Sequence, residues 1–344
     1  MKNRVCWVFA LLLFVICTDV LAEIPERLNK PVSLVVIIEY TSDTHSLMYL
    51  EGVKTEAASL GFSLEIMDAH NERKKMPRML DNAVLKQADA ILISHGAPDD
   101  MVRGVGRALR RHIPVVAFDC EIPLPEVVKI DQDDHKMAEI GLNRIAEDSH
   151  DQANLVQIWV GGYAPADKRM ETFNAFMSKH PGIQEIERFG KVTNNTALQT
   201  QVLMKAVLQK YPPGSIDVVW ANWDEYAKGA ARAIQQAGRN EIRLYGVDVS
   251  DEDLAMIQDP KNPWVATVGV APEAIGRVQV RIAAHLLAGE QVPERYSLAP
   301  VLITREMLPA DQPVSMATLH QYIPGFGEST DFLPPWMLEL KARH

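Results

Sequence analysis

Short clusters of polar and aromatic residues recur along the 344-residue chain, each directly behind an apolar run. They are Tyr40-Thr41-Ser42-Asp43, His95-Gly96, Asp119-Cys120-Glu121, Gly161-Gly162-Tyr163, Ala221-Asn222-Trp223-Asp224 and Asp248-Val249-Ser250. An ionised carboxylate only accepts hydrogen bonds, and an aromatic face packs well on C–H surfaces. Such clusters, brought together, suit a neutral ligand rich in hydroxyl groups. Bond cleavage is the rival chemistry, because Asp119 and Asp248 could act as a glycosidase pair. However, the sequence has no Gly-x-Ser-x-Gly elbow and no His-Glu-x-x-His zinc helix. Binding alone accounts for both aspartates, so the expectation is a protein that is not an enzyme.

The apolar runs that carry these clusters read as strands. Ser33–Glu39 is continuous and β-branched, as in a strand covered on both faces, and Ala90–Ser94 and Pro114–Phe118 repeat it. Between them lie helical segments at Leu47–Leu60, Met79–Gln87 and Asp99–Arg111, the first closed by Gly61. The alternation restarts with a strand at Asn154–Val160 and a helix at Lys168–Lys179, and it runs to a long helix at Ala274–Leu287. Strand–helix alternation implies right-handed crossovers and parallel sheets. The fold class expected is α/β, as two lobes with no Gly/Ser linker between them. In open parallel sheets ligands sit beyond the carboxyl ends of the strands, which is where the clusters fall.

The bulk properties narrow the field. A net charge of −10 argues against nucleic-acid partners, which require a basic face. Lys2 and Arg4, an apolar stretch Val5–Cys17 and small residues ending at Ala22 have the layout of a cleaved secretory signal over residues 1–22. The apolar run is too short to span a bilayer. Removing that segment leaves Cys120 as the single cysteine, which excludes an internal disulfide and a multi-cysteine zinc site. Gly104-Val105-Gly106 lacks the third glycine of a dinucleotide fingerprint. Asp131, Asp133, Asp134 and His135 match no calcium-loop spacing, so neither a metal nor a cofactor is expected.

A family resemblance rests on a series of segments in order. These are Leu50-Glu51-Gly52 with Glu56-Ala57, Ala88 to Ile93, Ile113 to Val116 ending in Asp119, and Arg169 to Phe173. Asp224-Glu225 with Gly229-Ala230, Leu244 to Asp248, and Ala288-Gly289-Glu290 complete it. Over roughly residues 31–305 the chain resembles the type I periplasmic sugar-binding proteins of ABC importers. The resemblance implies two Rossmann-like lobes joined by hinge crossings near Asp133, Val270 and Ala299. One lobe would hold 31–133 plus 270–298, the other 134–269 plus 299–325, leaving 326–344 as a tail. It also implies a small sugar or polyol as ligand and an ABC permease as partner, in the periplasm. A membrane histidine kinase or chemoreceptor is the alternative partner.

Carried over residue by residue, the resemblance assigns ligand contacts to Asp119, Asp248 and Arg169, with Asp43 and the hinge residue Asp133 beside them. Departures are as informative. His45 and Ser46 stand at aromatic positions of the ribose type, Cys120 at an arginine, Trp223 at an asparagine and Val270 at a polar residue. The ligand is therefore expected not to be ribose, with Trp223 offering a replacement stacking surface and His45 and Val270 as further candidate contacts.

Overall fold

A computed structural model describes residues 23–327 and 329–344, so the expected signal segment 1–22 lies outside the described residues. The chain runs β1 (Ser33–Ile38), α1 (Thr44–Ser59), β2 (Ser63–Asp68), α2 (Met76–Leu85), β3 (Ala90–Ser94), α3 (Pro98–Arg110), β4 (Val115–Phe118) and β5 (Val128–Asp131). It continues through α4 (Asp134–Ser149), β6 (Ala153–Ile158), α5 (Ala164–Lys179), β7 (Ile183–Phe189), α6 (Thr196–Lys210), β8 (Val218–Ala221), α7 (Asp224–Gln236), β9 (Arg243–Val247), α8 (Asp251–Gln258) and β10 (Trp264–Gly269). It ends with α9 (Pro272–Leu287), β11 (Arg295–Ser297), β12 (Val301–Thr304) and α10 (Pro335–Lys341).

Two sheets result, ordered β11-β5-β4-β3-β1-β2 and β12-β10-β9-β8-β6-β7. Each repeats the doubly wound order 2-1-3-4-5 and gains one late edge strand. Every pairing is parallel except β10 with β12. The chain crosses between the sheets after β5, after β10 and between β11 and β12. The crossings exchange helices: α4 follows a strand of the first sheet but packs on β9 and β10 of the second, whereas α9 follows β10 and packs on α1, β3, β4 and β5. The α/β class and the two Rossmann-like lobes agree with the sequence expectation.

The boundaries differ locally for physical reasons. Asp43 caps α1 by accepting a hydrogen bond from the Ser46 amide at 2.7 Å, so the helix begins at Thr44 rather than at Leu47. Helix α4 follows from Met137, Leu142 and Ile145, which share its buried face, and α8 from Leu254 and Ile257.

One close approach fixes the first lobe. Helices α1 and α9 meet at Gly52 and Gly276, where a Cβ on Gly276 would fall 2.3 Å from the Tyr49 carbonyl oxygen. In the same seam the Tyr49 hydroxyl donates to Gln279, whose amide donates to the carbonyls of Ile93 and Val116 at 3.1 and 2.9 Å. Gly276→Ala should therefore destabilise the protein by about 1–3 kcal/mol despite alanine's better helix propensity. Urea unfolding measures this; a more stable variant would contradict the close packing.

Candidate functional site

The carboxyl ends of both sheets face a common cleft, where the non-atom space, mouth included, is about 800 Å³. The chain enters it through a repeated device. His95 follows β3, Asp119 follows β4 and Asp248 follows β9, and all three have left-handed backbones, with φ of 61°, 49° and 72°. Such conformations cost on the order of 1–3 kcal/mol each outside glycine and gather at functional sites. All three residues line the cleft.

Arg169 of α5 lies at its floor, 4% exposed. Its Nε donates to Asp134 Oδ1 at 2.9 Å and its Nη1 to the Asn222 carbonyl at 2.9 Å, while Nη2 lies 3.8 Å from Asp248 Oδ1. Burial works against the guanidinium charge, but Asp134, Asp248 and Asp119 outweigh it and hold its pKa above the ordinary value. Asp119 is pushed well above the carboxylate range, chiefly by burial and then by the Asp134 charge. Burial pushes His95 down to about 3, so its imidazole is neutral near pH 7, with Nδ1 3.0 Å from Ser94 Oγ. Aromatic and apolar groups also line the cleft: Trp223 and Tyr226, edge to face at 5.5 Å, with Tyr163, Val160 and Val192.

Among residues lining this space, four buried oxygens, Asp119 Oδ1, Asn222 Oδ1, Tyr226 Oη and Asp248 Oδ1, have no hydrogen-bond partner among the described residues. An amide oxygen only accepts, while the neutral Asp119 carboxyl and the Tyr226 hydroxyl can also donate, so this group calls for a partner that both donates and accepts. The lobes also meet across the cleft. The Arg73 guanidinium, held by Glu39 at 3.0 Å, lies 5.0 Å over the Tyr163 ring, and Asn71 Nδ2 reaches Asn194 Oδ1 at 3.5 Å. Behind the cleft, Lys168 Nζ pairs with Glu121 and Asp131, each at 2.8 Å.

Of the residues picked from sequence, Asp43, His45, Asp119, Arg169, Trp223 and Asp248 come together in this cleft. Asp133 and Val270 lie outside its lining. Asp133 has φ 51° and turns away to cap α4 through the Lys136 amide, leaving its neighbour Gln132 to line the cleft opposite His45 at 3.4 Å. Val270 is buried at a crossing against Leu298, Ala299 and Phe326, on the far side of the hinge. Tyr40, His95 and Asn222 belong to the strand-end clusters, which were a usable signal for them. Gln132 and Tyr226 lie outside every cluster. Among the described residues no group of His, Cys, Asp or Glu is placed to hold a metal ion.

Residues 34–291 match the family of periplasmic binding protein domains. The chain belongs to this family of two-lobed solute-binding proteins. It is 24% identical over 280 residues to the ribose import binding protein of Escherichia coli (strain K12), covering 80% of this chain and 91% of that one. Among solved structures it is similar to a 5-methylthioribose transporter solute-binding protein from Thermotoga lettingae TMO in complex with 5-methylthioribose. That likeness has a TM-score of 0.89 and 36% identity, over 94% of this chain and 100% of that chain. A sugar ABC transporter protein from Yersinia enterocolitica subsp. enterocolitica 8081 is similar at a TM-score of 0.89 and 32% identity, over 94% and 99%.

Asp43 supplies a pH test. Burial pushes it up to about 6, against the lowering effects of His45 and the Ser46 amide. The folded state then binds more protons than the unfolded state. The stability from its neutral carboxyl is complete below the ordinary carboxylate pKa and is lost as pH rises through about 6. Asp43→Asn keeps a cap and removes this titration. Relative to the parent, it should gain on the order of 1–3 kcal/mol between pH 4 and pH 7, read by urea unfolding without ligand. Parallel pH profiles for the two proteins would contradict the assignment.

Proposed function

We propose that this protein captures a neutral sugar or related polyol between its lobes and delivers it to an ABC importer. The unpartnered oxygens at Asp119, Asn222 and Asp248 carry the reading, because sugar hydroxyls both donate and accept and so can satisfy them all. Arg169 does not offset this, since its charge is already engaged by Asp134, Asp248 and Asp119. A phosphorylated sugar would therefore meet carboxylates without a free cation and is disfavoured.

The apolar wall refines the ligand class. Val160, Pro165 and Val192, with Trp223 and Tyr226, can cover a substituent as well as a ring face. A pentose with an apolar group, such as 5-methylthioribose, fits a cleft lined by both polar and apolar groups. The similar Thermotoga lettingae protein in complex with that compound supports the choice. The cleft residues are assigned to binding and not to catalysis. Removal of residues 1–22 would release a periplasmic chain beginning at Glu23, which N-terminal sequencing of the exported protein reads directly.

Thermal unfolding of residues 23–344 against 5-methylthioribose, D-ribose, alditols and ribose 5-phosphate tests the function. A true ligand at about a hundred times its Kd adds roughly 2.7 kcal/mol, a rise of several degrees in Tm. The rise should come from 5-methylthioribose or another neutral polyol, vanish in Asp119→Ala and Asp248→Ala, and be absent with ribose 5-phosphate. A shift from the phosphate, or one that survives both substitutions, would contradict the proposal.

A further inference from the structure

The crossings between the lobes leave from β5, β10 and β11, at one end of each sheet, whereas β2 and β7 form the opposite ends. Contacts between the loop after β2 and the loops after β6 and β7 are therefore remote from the hinge, and opening the lobes must part them. Two such contacts bridge the mouth of the cleft. The Arg73 guanidinium lies 5.0 Å over the Tyr163 ring, and Asn71 Nδ2 lies 3.5 Å from Asn194 Oδ1.

Each half of the first contact is set by its own lobe. In the first lobe Glu39 follows β1, is buried, and has both carboxylate oxygens engaged. Oε1 accepts from Arg73 Nε at 3.0 Å and Oε2 from the Gly96 amide at 2.8 Å, while the Glu39 carbonyl accepts from the Asn71 amide at 2.9 Å. One buried residue thus ties together the chain ends that leave β1, β2 and β3, and it holds the Arg73 charge partnered at the mouth. Asp68 tightens the same loop, accepting from the His70 amide at 2.7 Å and the Thr41 hydroxyl at 2.5 Å. In the second lobe Tyr163 precedes α5. The Gly162 amide donates to the Asp167 carboxylate at 3.1 Å, and the Asp167 amide donates to the Tyr163 carbonyl at 2.9 Å. Neither half relies on the other for its shape, so the contact between them is gained only on closure.

We propose that Glu39, Arg73 and Tyr163 form a clasp at the mouth, in which Glu39 positions Arg73 to meet Tyr163 on closure and so sets how long a solute stays bound. A partly exposed cation over a tyrosine face favours the closed state by about two- to fivefold. Solute leaves from the open state, so the clasp slows release by that factor. Entry is unaffected, because solute enters a cleft whose clasp is already parted. With the Arg73 charge partnered by Glu39, the clasp acts on lobe closure and not by attracting an anion. The effect on release rests on the solute-binding reading; the clasp itself does not.

Single-molecule fluorescence energy transfer between dyes on cysteines placed at exposed Lys54 of α1 and Lys205 of α6 reads the closed-to-open ratio without solute. The ratio should fall about two- to fivefold in Arg73→Ala and recover in Arg73→Lys, which keeps the cation. Tyr163→Leu acts from the other lobe, leaves the Glu39 pair intact and serves if Arg73→Ala does not fold; it should lower the ratio equally. The double variant should fall no further than either single one. With 5-methylthioribose as probe, stopped-flow release should quicken by the same factor while the entry rate constant stays unchanged. A ratio unchanged in the folded variants, or two losses that multiply in the double variant, would overturn the clasp. A parent that does not bind 5-methylthioribose would count against that choice of ligand alone, and the solute-free ratio would still decide the clasp.

Discussion

The guanidinium of Arg169 is a buried cation around which the cleft is organised. It binds the first residue of α4, the Asn222 carbonyl just after β8 and, more loosely, the carboxylate after β9. Isolated buried carboxylates are costly, and several within one cleft would be untenable without a shared counter-charge. With Arg169 in place, Asp248 and Asp119 can share one cleft, the second with its pKa still raised by burial. The same bonds tie α5 to the crossing that leads into α4, so the ligand floor and the hinge are mechanically one unit. Replacing this residue would change the charge balance and the lobe geometry together.

The strand ends answer a different constraint. A parallel sheet covered by helices is apolar throughout, so chemistry can enter only where strands stop. Left-handed backbones at His95, Asp119 and Asp248 make the exit abrupt and set polar side chains against the cleft. Aspartate and histidine tolerate that conformation better than β-branched residues do, which accounts for their use just after Ser94, Phe118 and Val247. Contacts such as Arg73 over Tyr163 and Lys168 to Glu121 join the lobes outside the polar centre, so closure does not have to be driven by ligand bonds alone.

Much of this was legible in the sequence because periodicity and strand-end chemistry are local signals. The α/β alternation, the two lobes and the convergence of Asp43, Asp119, Arg169, Trp223 and Asp248 follow from them. Asp133 and Val270 lie outside the cleft lining, because a hinge position says which lobe junction a residue occupies, not which way its side chain turns. A left-handed φ turns Asp133 into the cap of α4, and Phe326 of the C-terminal segment packs beside Val270. Gln132 and Tyr226 carried no local mark. The C-terminal segment was visible as an extension, yet its path depends on bonds to α8 and α9 that are distant in sequence.

A crystal structure of the protein with the compound that raises its Tm would test the central claim most directly. The account predicts a solute between the lobes, with hydroxyl groups within hydrogen-bond distance of Asp119 Oδ1 and Asp248 Oδ1 and a face or substituent against Trp223. A solute bound elsewhere, or one that leaves both carboxylate oxygens without a donor, would contradict it.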